Sequence, residues 1–273
     1  MASTPRLGVR YGTPDLDYAH RLATTPPEHD GPVWMVNLMH YRDTADYADG
    51  RPSTISGREA DDLYTPVESL DAVGAEIVLA ADVDAQLLHM SPPWDRVGVV
   101  KYPTRRAFID MQGRPDFVAQ HVHKDAGMAE TIVMGTVPIE SPVVPADAPA
   151  WDDVPHPPTD DDGPIIVMHV LRFHEGGADT DMVSYQDAIR DIALPHGVRI
   201  PGWFGVEGTI VGDGRSWDQV RFNAFPSKAA FMALALDPAR LAAQHEHRET
   251  AVADIYTMIL RPLIDRLHES IAG

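Results

Sequence analysis

The sequence predicts an α+β protein built from two tandem ferredoxin-like β-α-β-β-α-β repeats, packed sheet to sheet as an intramolecular pseudo-dimeric barrel. Three observations predict it. First, three blocks recur in the same order. Gly31–Arg42 (GPVWMVNLMHYR) matches Gly163–His174 (GPIIVMHVLRFH), Trp94–Phe108 (WDRVGVVKYPTRRAF) matches Trp217–Phe231 (WDQVRFNAFPSKAAF), and Gln120–Lys124 (QHVHK) matches Gln244–Arg248 (QHEHR). Second, the hydrophobic period changes from strand to helix and back in the same sequence within each copy. Third, one such unit covers only one face of its sheet with helices. The bare face must be buried, and a second fused copy can bury it.

Each element has its own signal. Residues 33–41 and 165–173 are apolar on both faces, as central strands are. Leu63, Val67, Leu70 and Val73, and in the second copy Met182, Tyr185, Ile189 and Ile192, recur at helical spacing. Gly74 and Gly197 follow as helix stops. Second strands are expected near 76–83 and 200–210, and third strands from the Trp-Asp pairs to Tyr102 and Phe225. Second helices are expected over 104–125 and 227–250, interrupted near Pro115 and Pro238, and last strands near 130–137 and 254–260. Eight prolines between Pro138 and Pro164, with the run Asp160–Asp162, read as a stiff solvated linker. The expected organisation is therefore an N-terminal extension (1–30), repeat 1 (31–137), linker (138–162) and repeat 2 (163–273).

Composition narrows the function. Lys plus Arg is 22 and Asp plus Glu is 41, a net charge of 22 − 41 = −19. Such an acidic, histidine-rich surface repels phosphate backbones and anionic lipid, so no nucleic-acid or membrane partner is expected. With no cysteine, disulfides, thiolate metal sites and a Cys nucleophile are excluded. Neither a signal-peptide core nor a membrane-length apolar run is present, which predicts a cytoplasmic protein.

The strand containing Asn37 (VNLMHYR), SGREADDLY at 56–64, the two Trp-Asp blocks and the pair His247–Arg248 together resemble the dimeric α+β barrel superfamily. The closest likeness is to an uncharacterised branch of it, a domain of unknown function. The resemblance implies a ligand in the barrel lumen or in the cleft beside it. The superfamily includes cofactor-free monooxygenases, isomerases, cyclases, haem enzymes and non-catalytic stress proteins. No catalytic motif of a characterised member matches residue by residue.

Strand alternation selects candidate residues. Val97 and Val99, and Val220 and Phe222, form a uniformly apolar set expected to face the helices, as do Val36, Leu38, Met168 and Val170. The alternate set is then expected in the lumen: Met35, Asn37, Met39 and Tyr41 with Arg96, Gly98, Val100 and Tyr102, and Val167, His169, Leu171 and Phe173 with Gln219, Arg221, Asn223 and Phe225. His169, Arg221 and Asn223 form the candidate catalytic cluster, with His169 as acid or base. The competing reading pairs Arg221 with a carboxylate such as Glu207 and makes the cluster structural. Copy one offers Asn37, Gly98 and Val100 in those places, a far less polar set. Asn37, Tyr41, Gln219, Phe173, His121 and His245 are candidate ligand contacts.

His121/His123 and His245/His247 invite a metal. Residues i and i+2 diverge by about 200° on a helix, so neither pair is expected to chelate an ion. His121 and His245 are expected to point inward, and His123 and His247 outward. No cofactor is called for, although a transition metal or haem held by His121, His245 or His169 is the alternative. Tyr64 and Tyr185 read as core, Trp94 and Trp217 as barrel-rim packing, Glu59, Asp61 and Asp62 as a helix start, and 212–216 (GDGRS) as a hairpin loop. The leading expectation is a small-molecule enzyme acting by acid/base chemistry on an apolar carbonyl compound in the lumen, of isomerase, cyclase or cofactor-free oxygenase type. The alternatives are a metal- or haem-dependent oxidoreductase and a non-catalytic binding or stress protein. A homo-oligomer is compatible with all three.

Overall fold

The computed structural model describes residues 9–64 and 66–272. After the short strand β1 (Thr13–Pro14), the first half runs β2 (Val33–Tyr41), α2 (Gly57–Leu63), α3 (Val67–Asp71), β3 (Glu76–Leu88), β4 (Arg96–Tyr102), α4 (Arg105–Gln112), α5 (Pro115–Gly127) and β5 (Met128–Pro138). The second half runs β6 (Ile165–Phe173), α6 (Asp181–Ala193), β7 (Arg199–Gly212), β8 (Gln219–Phe225), α7 (Lys228–Ala235), α8 (Pro238–Ala243), a π-helical turn (Gln244–Arg248), α9 (Glu249–Ala251) and β9 (Val252–Asp265). Helix α1 (Leu16–Thr24) precedes the first half and α10 (Leu267–Ala272) follows the second. No helix among the described residues is long and apolar enough to cross a membrane.

Strands β2 to β9 close into an eight-stranded antiparallel barrel in the ring order β5-β2-β4-β3-β9-β6-β8-β7, with β7 returning to β5. The two seams between the halves are strand pairs, β3 with β9 and β5 with β7, so backbone hydrogen bonds as well as side-chain packing join them. Closure leaves the barrel no free edge.

Several local signals act as expected. Both first strands occupy the expected spans. Gly74 and Gly197 end their helical segments at φ of 71° and 77°. Pro115 and Pro238 open new helices, where their missing N–H costs nothing. The single helix expected through Leu63 and Val67 is instead two short ones, broken after Leu63, and both those side chains are exposed. The N-terminal segment does more than lie on the surface. Tyr18 and Leu22 of α1 are buried, and β1 pairs with the end of β7. At the other terminus α10 seats Leu267 in the barrel core, and Ser270 Oγ accepts a 2.9 Å hydrogen bond from Trp34 Nε1.

The face assignment is the reverse of the one alternation suggested. Val36, Leu38, Val97, Val99, Met168, Val170, Val220 and Phe222 fill the barrel interior, where all are fully buried in one cluster with Trp34, Phe204, Tyr256 and Met258. Met35, Met39, Tyr41 and Tyr102 pack instead with Phe108 and Phe117 of the helices, and Val167 and Phe225 pack with Phe231 and Leu234. The physical reason is room. An eight-stranded barrel is just wide enough for its side chains to fill. Its dry interior therefore takes the uniformly apolar set, because a polar group there would lack partners. The mixed set goes to the helix side, where helices stand off the sheet and leave space.

Candidate functional site

Thr257, His169, Arg221 and Trp203 form one row across the adjacent strands β9, β6, β8 and β7, each directly opposite the next. Asn223 is two residues along β8, opposite Val167. The row faces α6, α7, α8 and the π-turn across a cavity of about 290 Å3, at the lower edge of the range for small ligand sites. The candidate trio His169, Arg221 and Asn223 is thus brought together in one cavity, but in the cleft between sheet and helices and not in the lumen.

The electrostatics of the cleft are unusual. Arg221 and Arg248 are only 4% and 8% exposed. Arg221 Nε donates to Gln219 Oε1 at 2.8 Å and the guanidinium stacks 4.1 Å from the Trp203 ring. Gln244 Oε1 accepts from Arg248 Nη1 at 3.5 Å and from Arg240 Nη2 at 2.9 Å. Among the described residues no carboxylate forms an ion pair with Arg221, Arg240 or Arg248, and Glu207, the partner considered for Arg221, is engaged by Arg105. Burial, together with the nearby Arg248, pushes Arg221 below its ordinary value. Burial pushes Arg248 down as well. His169 Nδ1 meets Thr257 Oγ1 at 3.0 Å. Burial, with Arg248, Arg221 and Arg240 nearby, holds the ring well below the usual histidine range, so it is neutral at pH 7. Asn223 Oδ1 accepts from Trp203 Nε1 at 3.2 Å. The other walls are apolar, among them Ile189, Val198, Phe225 and Phe231.

Gln219 serves the site indirectly by holding Arg221, and Phe173 lies 5.8 Å from the same guanidinium, packed with Met182 and Tyr185. His245 is not a ligand contact. It sits on the surface beside Glu249, its side chain 86% exposed, and the inward expectation for it fails. The π-turn explains this. Its wider i to i+5 pitch makes Ala243 and Arg248 the buried positions, so the arginine enters the cleft and the histidine is turned out.

The first half has its own, larger cleft of about 1650 Å3. Asn37 lines it, with Val133, Gly98 and Ala80 as its row partners, a set as apolar as expected. The helices nevertheless add polar groups that strand reasoning missed. Lys124 is 9% exposed and its Nζ lies 3.5 Å from Asn37 Oδ1 and 5.5 Å from the Tyr64 ring. His121 Nε2 meets the Tyr11 hydroxyl at 2.9 Å, and burial lowers the ring to about 4. Asp61 is buried and structural in a stronger sense than a helix start. It accepts from Tyr41 Oη at 2.7 Å and from Arg96 Nη1 at 3.3 Å. Tyr41 is therefore committed to Asp61, which lines the cleft, and does not line it itself. His121, His169 and His245 do not converge, since they belong to the first cleft, the second cleft and the surface. Among the described residues no group of three or more His, Asp or Glu side chains is arranged around a common point to hold a metal ion.

The signal for the missed residues was present in the third repeated block. QHVHK and QHEHR each close on a basic residue, and those residues, Lys124 and Arg248, are buried cations, one in each cleft.

No protein-family model matches the sequence, and no curated protein matches it. Solved structures do. The chain is similar to a protein of unknown function from Rhodopseudomonas palustris, at 22% identity over 48% of this chain and 98% of that one, with a TM-score of 0.42. It is also similar to a variant chlorite dismutase from Candidatus Nitrospira defluvii, at 14% identity over 89% and 96% of the two chains, with a TM-score of 0.47. An anthrone oxidase-like protein matches at 13% identity over 86% of this chain and 92% of that one, with a TM-score of 0.51. That last likeness shows the fold alone.

Proposed function

We propose that the second-half cleft binds a small apolar molecule bearing a carboxylate or an enolisable carbonyl, and that it performs acid/base chemistry on it. The observation that carries this is the pair of buried guanidiniums, Arg221 and Arg248, held only by amide oxygens, with no carboxylate paired to either among the described residues. A buried cation without a counter-ion costs several kcal/mol. An anionic ligand oxygen supplies the missing charge and forms strong, geometrically specific hydrogen bonds.

In this reading Arg221 and Arg248 hold the oxyanion and His169 is the general base. With Thr257 Oγ1 accepting from Nδ1–H, Nε2 carries the free lone pair. It removes a proton from the carbon next to the carbonyl, the C–H electron pair becomes the new C=C bond, and the negative charge moves to the oxygen held by the arginines. Returning the proton at another carbon isomerises the ligand. Attack of the enolate carbon on a second carbonyl of the same ligand cyclises it: the new C–C bond forms as that C=O π bond opens to an alkoxide, which takes the proton back from His169. Asn223, oriented by Trp203, positions the ligand through its amide N–H. We also read the halves as copies of a ferredoxin-like unit divided at the 138–162 segment. The identical strand orders β5-β2-β4-β3 and β9-β6-β8-β7 support this.

Phenylpyruvate combines a carboxylate, an enolisable ketone and one apolar ring, and is the probe of choice. Calorimetric titration tests the anion site: we expect saturable binding that Arg221→Met weakens by at least tenfold. Absence of binding, or equal affinity in the variant, rejects the assignment.

A further inference from the structure

The first-half cleft contains a feature that the proposed acid/base site does not use: a buried lysine with no ion-pair partner among the described residues. The chain has three lysines. Lys228 is paired with Asp84 at 2.8 Å, and Lys101 Nζ donates to the Ser270 carbonyl at 2.6 Å. Lys124 differs. It is 9% exposed, lines the cleft, and among the described residues its hydrogen-bond partner is Asn37 Oδ1 at the long distance of 3.5 Å. Asp61, on the same cleft wall, is already engaged by Tyr41 and Arg96. The surrounding walls are apolar and aromatic, including Met35, Tyr64, Phe108 and Phe117. His121 lies three residues before Lys124 on α5, so both project to one face of the helix, and its ring is tethered to the Tyr11 hydroxyl.

We propose that Lys124 is a reactive amine that condenses with an apolar aldehyde or ketone bound in the first-half cleft, with His121 relaying the proton. The Nζ lone pair attacks the carbonyl carbon, and the C=O π electrons move to oxygen. A proton passes from nitrogen to that oxygen by way of His121, giving a carbinolamine. The C–O bond then breaks, one water leaves, and the product is an imine to Lys124. One carbonyl compound and one amine are consumed, one imine and one water are formed, and nothing is oxidised or reduced. Two facts support the step beyond geometry. Burial lowers Lys124 from its ordinary value, which raises the fraction present as free amine. Burial also keeps His121 neutral and able to accept a proton.

The test is reductive trapping. The full chain is incubated with benzaldehyde and sodium cyanoborohydride, digested, and mapped by mass spectrometry, with the α-amino group scored separately. The expected result is a benzyl adduct on Lys124 formed at least tenfold faster than on Lys101 or Lys228. His121→Gln should slow the Lys124 adduct several-fold while leaving the other two unchanged. Equal labelling of the three lysines, or no adduct on Lys124, overturns the proposal, and an unchanged rate in His121→Gln removes the relay. Neither result touches the arginine site of the other half, so the two readings fail separately.

Discussion

Lys124 and Arg248 close matching pentapeptides, QHVHK and QHEHR, in the two halves, and each is buried in its own cleft with its charge 5.5 or 5.8 Å from a tyrosine ring, Tyr64 or Tyr185. Each half places a cation at this point in different surroundings. In one half the facing strands present Asn37 and Gly98, in the other His169 and Arg221. One scaffold thus carries two clefts of different chemistry, with a packed barrel between them.

An arginine buried for a ligand is a burden on the empty protein. Arg221→Met keeps the apolar stem and removes the uncompensated charge. It is expected to raise unfolding stability by about 1–2 kcal/mol without ligand, read from the urea midpoint at constant slope. A loss of stability would mean that stacking on Trp203 and the Gln219 hydrogen bond already satisfy the guanidinium.

The buried histidines make stability depend on pH with a defined sign. His121 has a folded-state pKa of about 4, below the ordinary value near 6.5. Between those values the unfolded chain binds more protons than the folded one, so stability rises with pH and falls on acidification. His169, held well below the ordinary value, acts in the same direction. From pH 6.5 to pH 5, before most carboxylates titrate, the slope from His121 should approach about 1.4 kcal/mol per pH unit, with His169 adding in the same direction. Urea midpoints across that range should fall, and His121→Gln should flatten the dependence. A flat wild-type profile contradicts the burial of both rings.

Tyr18 is wedged against Gly135 and Gly208, which face each other across β5 and β7 at one seam of the barrel. A methyl group at position 208 would lie 2.7 Å from the Tyr18 ring. Gly208→Ala is expected to cost about 1–3 kcal/mol, and less in a Tyr18→Ala background. Equal losses in both backgrounds would show that the glycine serves the strand and not the tyrosine.

Because both seams are strand pairs between halves, neither half should fold alone. A fragment of residues 1–150 would leave β3 and β5 each with one open edge and Val36, Leu38, Val97 and Val99 open to water. It is expected to associate or to melt without cooperativity. A monomeric fragment with a sharp thermal transition contradicts this.

The first and third strands of each half were legible because each is announced twice, by matched blocks and by turn or proline signals at the ends. That His169, Arg221 and Asn223 share a face was also legible, since a two-residue period leaves no alternative once the strands pair. Which side that face looks toward was not. Periodicity separates two faces without naming them, and the decision depends on barrel width, a property of closure that no single strand encodes. Arg248 and Lys124 were hidden for another reason. The paired histidines drew the reading of QHVHK and QHEHR, and the π-turn that swings Arg248 inward and His245 outward has no counterpart in an α-helical projection.

The central claim, that His169 is a base facing oxyanion-binding arginines, is tested most directly by α-proton exchange. Phenylpyruvate in D2O with catalytic protein, followed by proton NMR, should lose its methylene signal faster than in buffer. His169→Ala should abolish the acceleration while retaining the fold, since the ring faces a cavity and not the barrel core. Undiminished acceleration in His169→Ala would contradict the account.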